Sequence, residues 1–112
     1  MIFTLPWPPA ALSPNARPHH MVLAKAKKRY RAVCALSAMK QGACRIQADR
    51  LQVHLVFVPP TRRARDEDNC LASMKAGLDG LADVLGVDDS RWRVTHQLLE
   101  EIGGFVRVEV RA

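Results

Sequence analysis

Seven of the eleven acidic residues in this 112-residue chain lie between Asp66 and Asp89, although the formal net charge is +6. The densest stretch reads Arg62-Arg63-Ala64-Arg65-Asp66-Glu67-Asp68-Asn69, and Val87-Asp88-Asp89 follows about a helix length later. Crowded carboxylates raise one another's pKa unless a cation sits among them. Carboxylates flanked by arginines in a basic chain suit the holding of a divalent metal against a polyanion. Metal-assisted phosphodiester cleavage needs that combination.

Each candidate also has a plainer use. Asp66 and Asp68 are two apart, so an extended backbone would point them to one side. They also stand where a helix starts, and there Asp and Asn are ordinary N-caps. Lys75 follows Asp68 by seven residues, on the same helix face two turns on, where it would hold a phosphate or stabilise developing charge. On spacing alone it equally pairs with Asp79 at i,i+4. Arg62, Arg63 and Arg65 suit bidentate phosphate contacts, or form a solvated charge run. Lys25, Lys27, Lys28, Arg29 and Arg31 make a strongly basic helix face. His19-His20 is a weak metal or phosphate candidate, and Trp7 either stacks on a base or covers an edge of the core. An EF-hand is excluded: with Asp66 as loop position one, the required glycine and glutamate are Leu71 and Gly77. No dinucleotide, Walker, HExxH or zinc spacing occurs, so no nucleotide cofactor is expected.

Periodicity predicts the elements that position these residues. Residues 1–6 read as a strand with Ile2 and Leu5 toward the core, and the prolines from Pro6 to Pro18 impose an extended loop. A helix over 22–41 carries the stripe Leu23, Ala26, Tyr30, Val33 and Ser37, with Gly42 as its stop. Leu51, Val53, Leu55 and Phe57 alternate in a strand over 51–58. A second helix over 68–85 follows from Leu71, Met74, Leu78, Leu81 and Leu85, despite the cost of Gly77 and Gly80. Strands over 92–100 and 105–111 read as a hairpin about Gly103-Gly104. The fold class expected is α/β (α+β): one domain over 1–112, a small mixed four-stranded sheet in the order β-α-β-α-β-β, and two helices packed on it. A helix of about 18 residues is ~27 Å long, so Asp88 and Asp89 must fold back to reach its start, or a partner must supply the missing carboxylates.

Hydrophobic residues make up 48% of the chain, enough for a core, and no apolar run is long enough to span a bilayer. Cys34, Cys44 and Cys70 are odd in number and without paired spacing, and the N-terminus has no signal-peptide pattern. A cytoplasmic, non-membrane protein with free thiols is expected, and the pI of about 9.8 favours nucleic acid as partner.

Four segments in order resemble the RusA family of Holliday-junction resolvases: Leu5-Pro6-Trp7-Pro8-Pro9, Arg65-Asp66-Glu67-Asp68-Asn69, Lys75-Ala76-Gly77-Leu78-Asp79-Gly80-Leu81 and Val87-Asp88-Asp89. The resemblance implies a small α/β homodimer that nicks four-way DNA junctions symmetrically with Mg²⁺ or Mn²⁺. It implies Asp66, Asp68 and Asp89 as converging metal-binding carboxylates, Lys75 as catalytic lysine, Asn69 as a site neighbour, and Asp88 as the lesser member of its pair. Lys75 stands further from Asp68 than in some members, and Ala10-Ala11-Leu12-Ser13-Pro14-Asn15 replaces an asparagine-rich stretch. The function expected is a Mg²⁺-dependent endonuclease on branched DNA, with Arg62, Arg63, Arg65, Asn69, Lys27, Lys28 and Arg31 on the DNA. Its rivals are a non-catalytic junction-binding protein, a metal-dependent nuclease for other branched DNA, and an interaction domain whose acidic loop only caps a helix.

Overall fold

A computed structural model describes all residues from 1 to 112. Strand β1 (Ile2–Pro6) leads through a 3₁₀ turn (Ala10–Leu12) to helix α1 (His20–Lys40), and strand β2 (Leu51–Val58) follows. Helices α2 (Glu67–Ser73) and α3 (Lys75–Leu85) come next, then a 3₁₀ turn (Asp89–Arg91) and strands β3 (Trp92–Leu98) and β4 (Phe105–Arg111). The result is the expected α+β domain with a four-stranded mixed sheet, carrying three helices where two were expected.

The sheet order is β1-β4-β2-β3, with β3 parallel to β2 and β4 antiparallel to both β2 and β1. The expected β3–β4 hairpin is therefore incorrect. Gly104 does turn in the left-handed region (φ 83°), but its amide and that of Gly103 bond to carbonyls at the end of β2. Leu99 N–H reaches Phe57 O, so the chain crosses the end of β2 and returns on its other side. The composition of β2 favours the central place. Leu51, Val53, Leu55 and Phe57 fill the core face, and Val56 and Val58 of the opposite face are buried too.

All three helices lie on one face of the sheet. Phe3, Leu5, Leu55, Phe57, Val106 and Val108 meet Tyr30, Cys34, Met74, Leu78, Leu81 and Leu85 in one cluster. Strand alternation puts Phe3 with Leu5 inside and leaves Ile2 64% exposed, contrary to its expected core role. In α1 the buried row is Tyr30, Cys34 and Ala38, and Val33 of the expected stripe faces out. That row is set by α3, whose Gly77 and Gly80 let the two helices approach closely. A Cβ on Gly80 would stand 2.2 Å from the Arg31 carbonyl oxygen.

The helix expected over 68–85 breaks at Met74, where the Met74 amide takes the tighter bond to Leu71 O. The two segments answer to different partners: α2 packs on β3, and α3 packs on α1. Both sheet edges are closed by side chains. Gln41 bonds the amide and carbonyl of Thr4 on β1 at 2.7 Å each, and Glu67 Oε1 accepts from Leu98 N–H on β3 at 2.9 Å. No helix is long and apolar enough to cross a membrane.

Candidate functional site

Asp66 is the N-cap of α2. Its Oδ1 accepts from the amides of Asp68 (2.8 Å) and Asn69 (3.3 Å), two of the donors a helix start leaves unpaired. Asp66 itself is extended, but Glu67 and Asp68 are already helical, so the shared side expected for Asp66 and Asp68 does not arise from strand alternation. Asp68 is exposed in the first turn, and none of Arg62, Arg63 and Arg65 pairs with either carboxylate. Glu67, between them, turns to the sheet. Beyond its bond to Leu98, its Oε2 lies 2.7 Å from His96 Nδ1, though out of hydrogen-bond alignment.

Asp89 does come back to a helix start. Gly86 ends α3 in the left-handed conformation (φ 74°), and its amide bonds Ala82 O. Val87 is then buried, and its carbonyl accepts from the indole N–H of Trp92 at 3.0 Å, fixing the return. Helix α3 alone is ~16 Å long, short enough for the next few residues to retrace. Asp89 Oδ2 accordingly accepts a hydrogen bond from Lys75 Nζ, which also lies 3.3 Å from Asp79. The bond to Asp89, assisted by Asp79, raises the lysine's pKa and keeps it charged. Asp88 stands outside this pair. Its carboxylate accepts from Ser90 Oγ at 2.5 Å, which lowers its pKa.

Two clefts adjoin on this surface. One, of about 650 Å³, lies between the 11–18 loop, α1 and the α2–α3 junction, and is lined by Lys27, Lys28, Arg31, Lys75 and Asp79. The other, of about 450 Å³, is lined by Trp7, Asn15, Arg63, Arg65, Asp66 and Asn69. Ser13 and Ser73 belong to both. The structure therefore gathers Asp66, Asn69, Lys75, Lys27 and Lys28 along one groove, with Asp89 behind Lys75. Asp68 lines neither cleft.

Several expected DNA contacts are occupied otherwise. Arg31 makes a two-pronged bridge to Asp83 at 2.7 and 2.8 Å, tying α1 to α3. Arg65 braces its own loop through Thr61 O and Oγ1 at 2.7 Å each, and its guanidinium lies 5.5 Å over the Trp7 ring. Trp7 packs edge-on against Phe57, so it covers the core rather than awaiting a base. His19 caps α1 through Nδ1 to Met21 N–H. Arg62, Arg63, Lys27 and Lys28 are exposed without ion pairs.

The carboxylates as they stand do not fit a divalent ion. No group of three or more His, Cys, Asp or Glu side chains converges on one point. Asp89 holds Lys75 with Oδ2, and Asp66 holds its helix with Oδ1. Each nevertheless keeps its second oxygen free of hydrogen bonds. Sequence reasoning found the Lys75–Asp79 pair from its i,i+4 spacing but missed Glu67 as the clamp on β3, for which the residue types gave no signal.

No family model matches the chain. It is 44% identical over 101 residues to a protein of Xylella fastidiosa (strain Temecula1 / ATCC 700964) described only as uncharacterized. That match takes in 88% of this chain and 65% of the relative, so the chain spans less than two thirds of the relative's length.

Proposed function

We propose that this chain is a structure-selective endodeoxyribonuclease of the RusA kind, acting on branched DNA such as the four-way junction, with Asp66, Asp68, Asp89 and Lys75 as its reactive residues. The observation that carries this function is the Lys75–Asp89 pair, joined across 14 residues at the head of a groove lined by unpaired lysines. Lys27, Lys28, Arg62 and Arg63 supply cations to a phosphate backbone, and Asn69 lies beside Asp66 in the adjoining cleft. Lys75, held charged, is the group suited to stabilise negative charge building on a phosphate. Magnesium, or manganese in its place, is the cofactor this function calls for. Because the carboxylates as placed do not hold it, the assignment to Asp66, Asp68 and Asp89 concerns which residues act, not a geometry. A homodimer would present two such grooves to the two-fold symmetric junction.

The lack of any group of three converging carboxylates or other metal-ligating side chains favours one alternative, a junction-binding protein that does not cut. Cleavage of a synthetic mobile four-way junction separates the two, run with Mg²⁺ and with EDTA, for wild type, Asp68→Asn and Lys75→Met. Paired symmetric nicks that vanish with EDTA and in both variants, while binding persists, are expected. Tight binding without nicks in Mg²⁺ or Mn²⁺ would establish the binder instead. Cleavage of flaps or single strands in preference to junctions would move the substrate to other branched DNA.

A further inference from the structure

The sheet face that no helix covers carries a second set of cations. Arg93 on β3 and Arg111 on β4 both stand opposite Gln52 of β2, one on each side. Two residues along, His54 lies between Thr95 and Glu109 in the same way, and its Nδ1 is 2.7 Å from Thr95 Oγ1. These side chains line a cleft of about 410 Å³. A cleft of about 300 Å³ shares Gln52 and Arg93 with it and adds Arg50, Ser90 and Arg91. Arg50, Arg91, Arg93 and Arg111 thus front one continuous surface, and none of them has an ion-pair partner. The one carboxylate side chain in the two clefts, Glu109, already lies 3.5 Å from Arg107.

Four unpaired guanidiniums on an open face repel one another, and nothing in the core requires them there. Stacking two copies through this face would set arginines against arginines, a costly like-charge juxtaposition. A polyanion resolves the imbalance. Guanidinium forks match phosphate oxygens bidentately. Arg93 and Arg111 are two strands apart, ~10 Å between backbones, so their forks can hold neighbouring phosphates of one strand. The arginines also come close in sequence to the Lys75–Asp89 pair. Arg91 closes the 3₁₀ turn that Asp89 opens, so the arginine row begins two residues beyond the Lys75–Asp89 pair.

We propose that the uncovered sheet face is a second nucleic-acid contact, in which Arg93 and Arg111 clamp the phosphate backbone of a DNA strand that passes Arg91 toward the Lys75–Asp89 pair. The clamp rests on DNA being the partner. The test is fluorescence anisotropy with labelled four-way junction and labelled duplex across a NaCl series. It uses wild type, the Arg93→Gln/Arg111→Gln double variant, the single Arg111→Gln and Glu109→Gln. Both arginines are exposed, so the variants should melt with wild type. Loss of two phosphate contacts should weaken binding about 10-fold or more at moderate salt and lower the slope of log K against log salt by about 2. Glu109→Gln should bind more tightly than wild type. Equal affinity and slope in wild type and the arginine variants would overturn the clamp while leaving DNA as partner. Failure of wild type to bind either DNA would overturn both. A change of oligomeric state in the arginine variants, seen by sedimentation, would overturn the clamp by showing the face to be an interface between copies.

Discussion

Substituting Gly80 by alanine tests the packing that sets the width of the groove. The added Cβ would lie 2.2 Å from Arg31 O, 3.0 Å from Arg31 C and 3.3 Å from Ala35 N. All three are backbone atoms of α1, so no rotamer change relieves the contact. The helices must part by about 1 Å, and gaps of that size forfeit about a quarter to a half of each dispersion contact they open. Overpacking costs about 1–3 kcal/mol, and backbone against backbone belongs at the upper end, about 3. Alanine recovers about 1 kcal/mol in a helix interior. The net is a loss of about 2 kcal/mol, or roughly 8 °C in Tm for a domain of this size.

Gly77→Ala provides the internal comparison. Its Cβ would meet Tyr30 Cε2 at 2.7 Å and Cys34 Sγ at 3.0 Å, which are side-chain atoms with some freedom to move. It should cost less than Gly80→Ala but still about 1 kcal/mol, because Tyr30 is restrained by its hydroxyl bond to Pro6 O. Urea unfolding and thermal melts of both variants measure the difference. A Gly80→Ala protein that melts at or above wild type, or above Gly77→Ala, would refute the close approach of α1 and α3. Helix α1 carries Lys27 and Lys28, and α3 begins with Lys75, so the same variant should also weaken DNA binding.

Burial pushes the Cys34 thiol up to about 11, so above pH 9 the unfolded thiol ionises while the folded one does not. Stability should therefore fall between about pH 9 and about pH 11, by at most ~3 kcal/mol. Tyr30, raised mainly by burial, adds a further loss above pH 10. Urea midpoints across that range should decline, and less steeply for Cys34→Ala; a flat wild-type profile contradicts the buried thiol. At neutral pH a thiol reagent should modify exposed Cys44 and spare Cys34 and Cys70 in the folded protein. Glu67→Ala strips the Leu98 amide of its acceptor and His96 of its neighbour, and should cost about 1–2 kcal/mol in denaturant unfolding, with amide exchange at Leu98 accelerating first. Asp66→Asn keeps a competent cap, so stability should stay within about 0.5 kcal/mol of wild type, whereas Asp66→Ala should lose about 1 kcal/mol. Junction cleavage, if Asp66 is reactive, should disappear in both; retention in the Asn variant would remove Asp66 from the site.

What the sequence discloses follows the range of the interactions involved. The alternation over 51–58, the turn at Gly86 and the cap at Asp66 are local, and the structure has them where the residues place them. Pairing partners are not local. Gly103-Gly104 reads as a hairpin because two strands flank it, yet β2 is the better mate for both strands, its two faces being apolar in the half nearest the turn. The break at Met74 is equally hidden, because Leu71, Met74 and Leu78 keep helical spacing through it. Gly77 and Gly80, costs to an isolated helix, are required by a neighbour 40-odd residues away in sequence. The Lys75–Asp89 pair depends on all of these, on the short α3, the Gly86 turn and the Trp92 anchor, and spacing alone leaves it undecided.

From spacing, capping and chemistry look like rival uses for the acidic cluster, but the atoms divide the work. Asp66 caps with Oδ1 and leaves Oδ2 without a hydrogen bond; Asp89 engages Lys75 through Oδ2 and leaves Oδ1 without one. A carboxylate has acceptor sites on both oxygens, so serving the fold with one does not withdraw the residue from a ligand. The Lys75 bridge is half exposed to water, and exposed ion pairs contribute about 0–1 kcal/mol. A phosphate arriving in a groove lined by Lys27, Lys28 and Lys75 offers Lys75 a competing anion for about that cost. The pair is thus weak, and the fold would lose little if it opened. Engagement of Asp89 by Lys75 is thus compatible with a nuclease as well as with a binder, and cleavage measured with and without divalent metal separates the two.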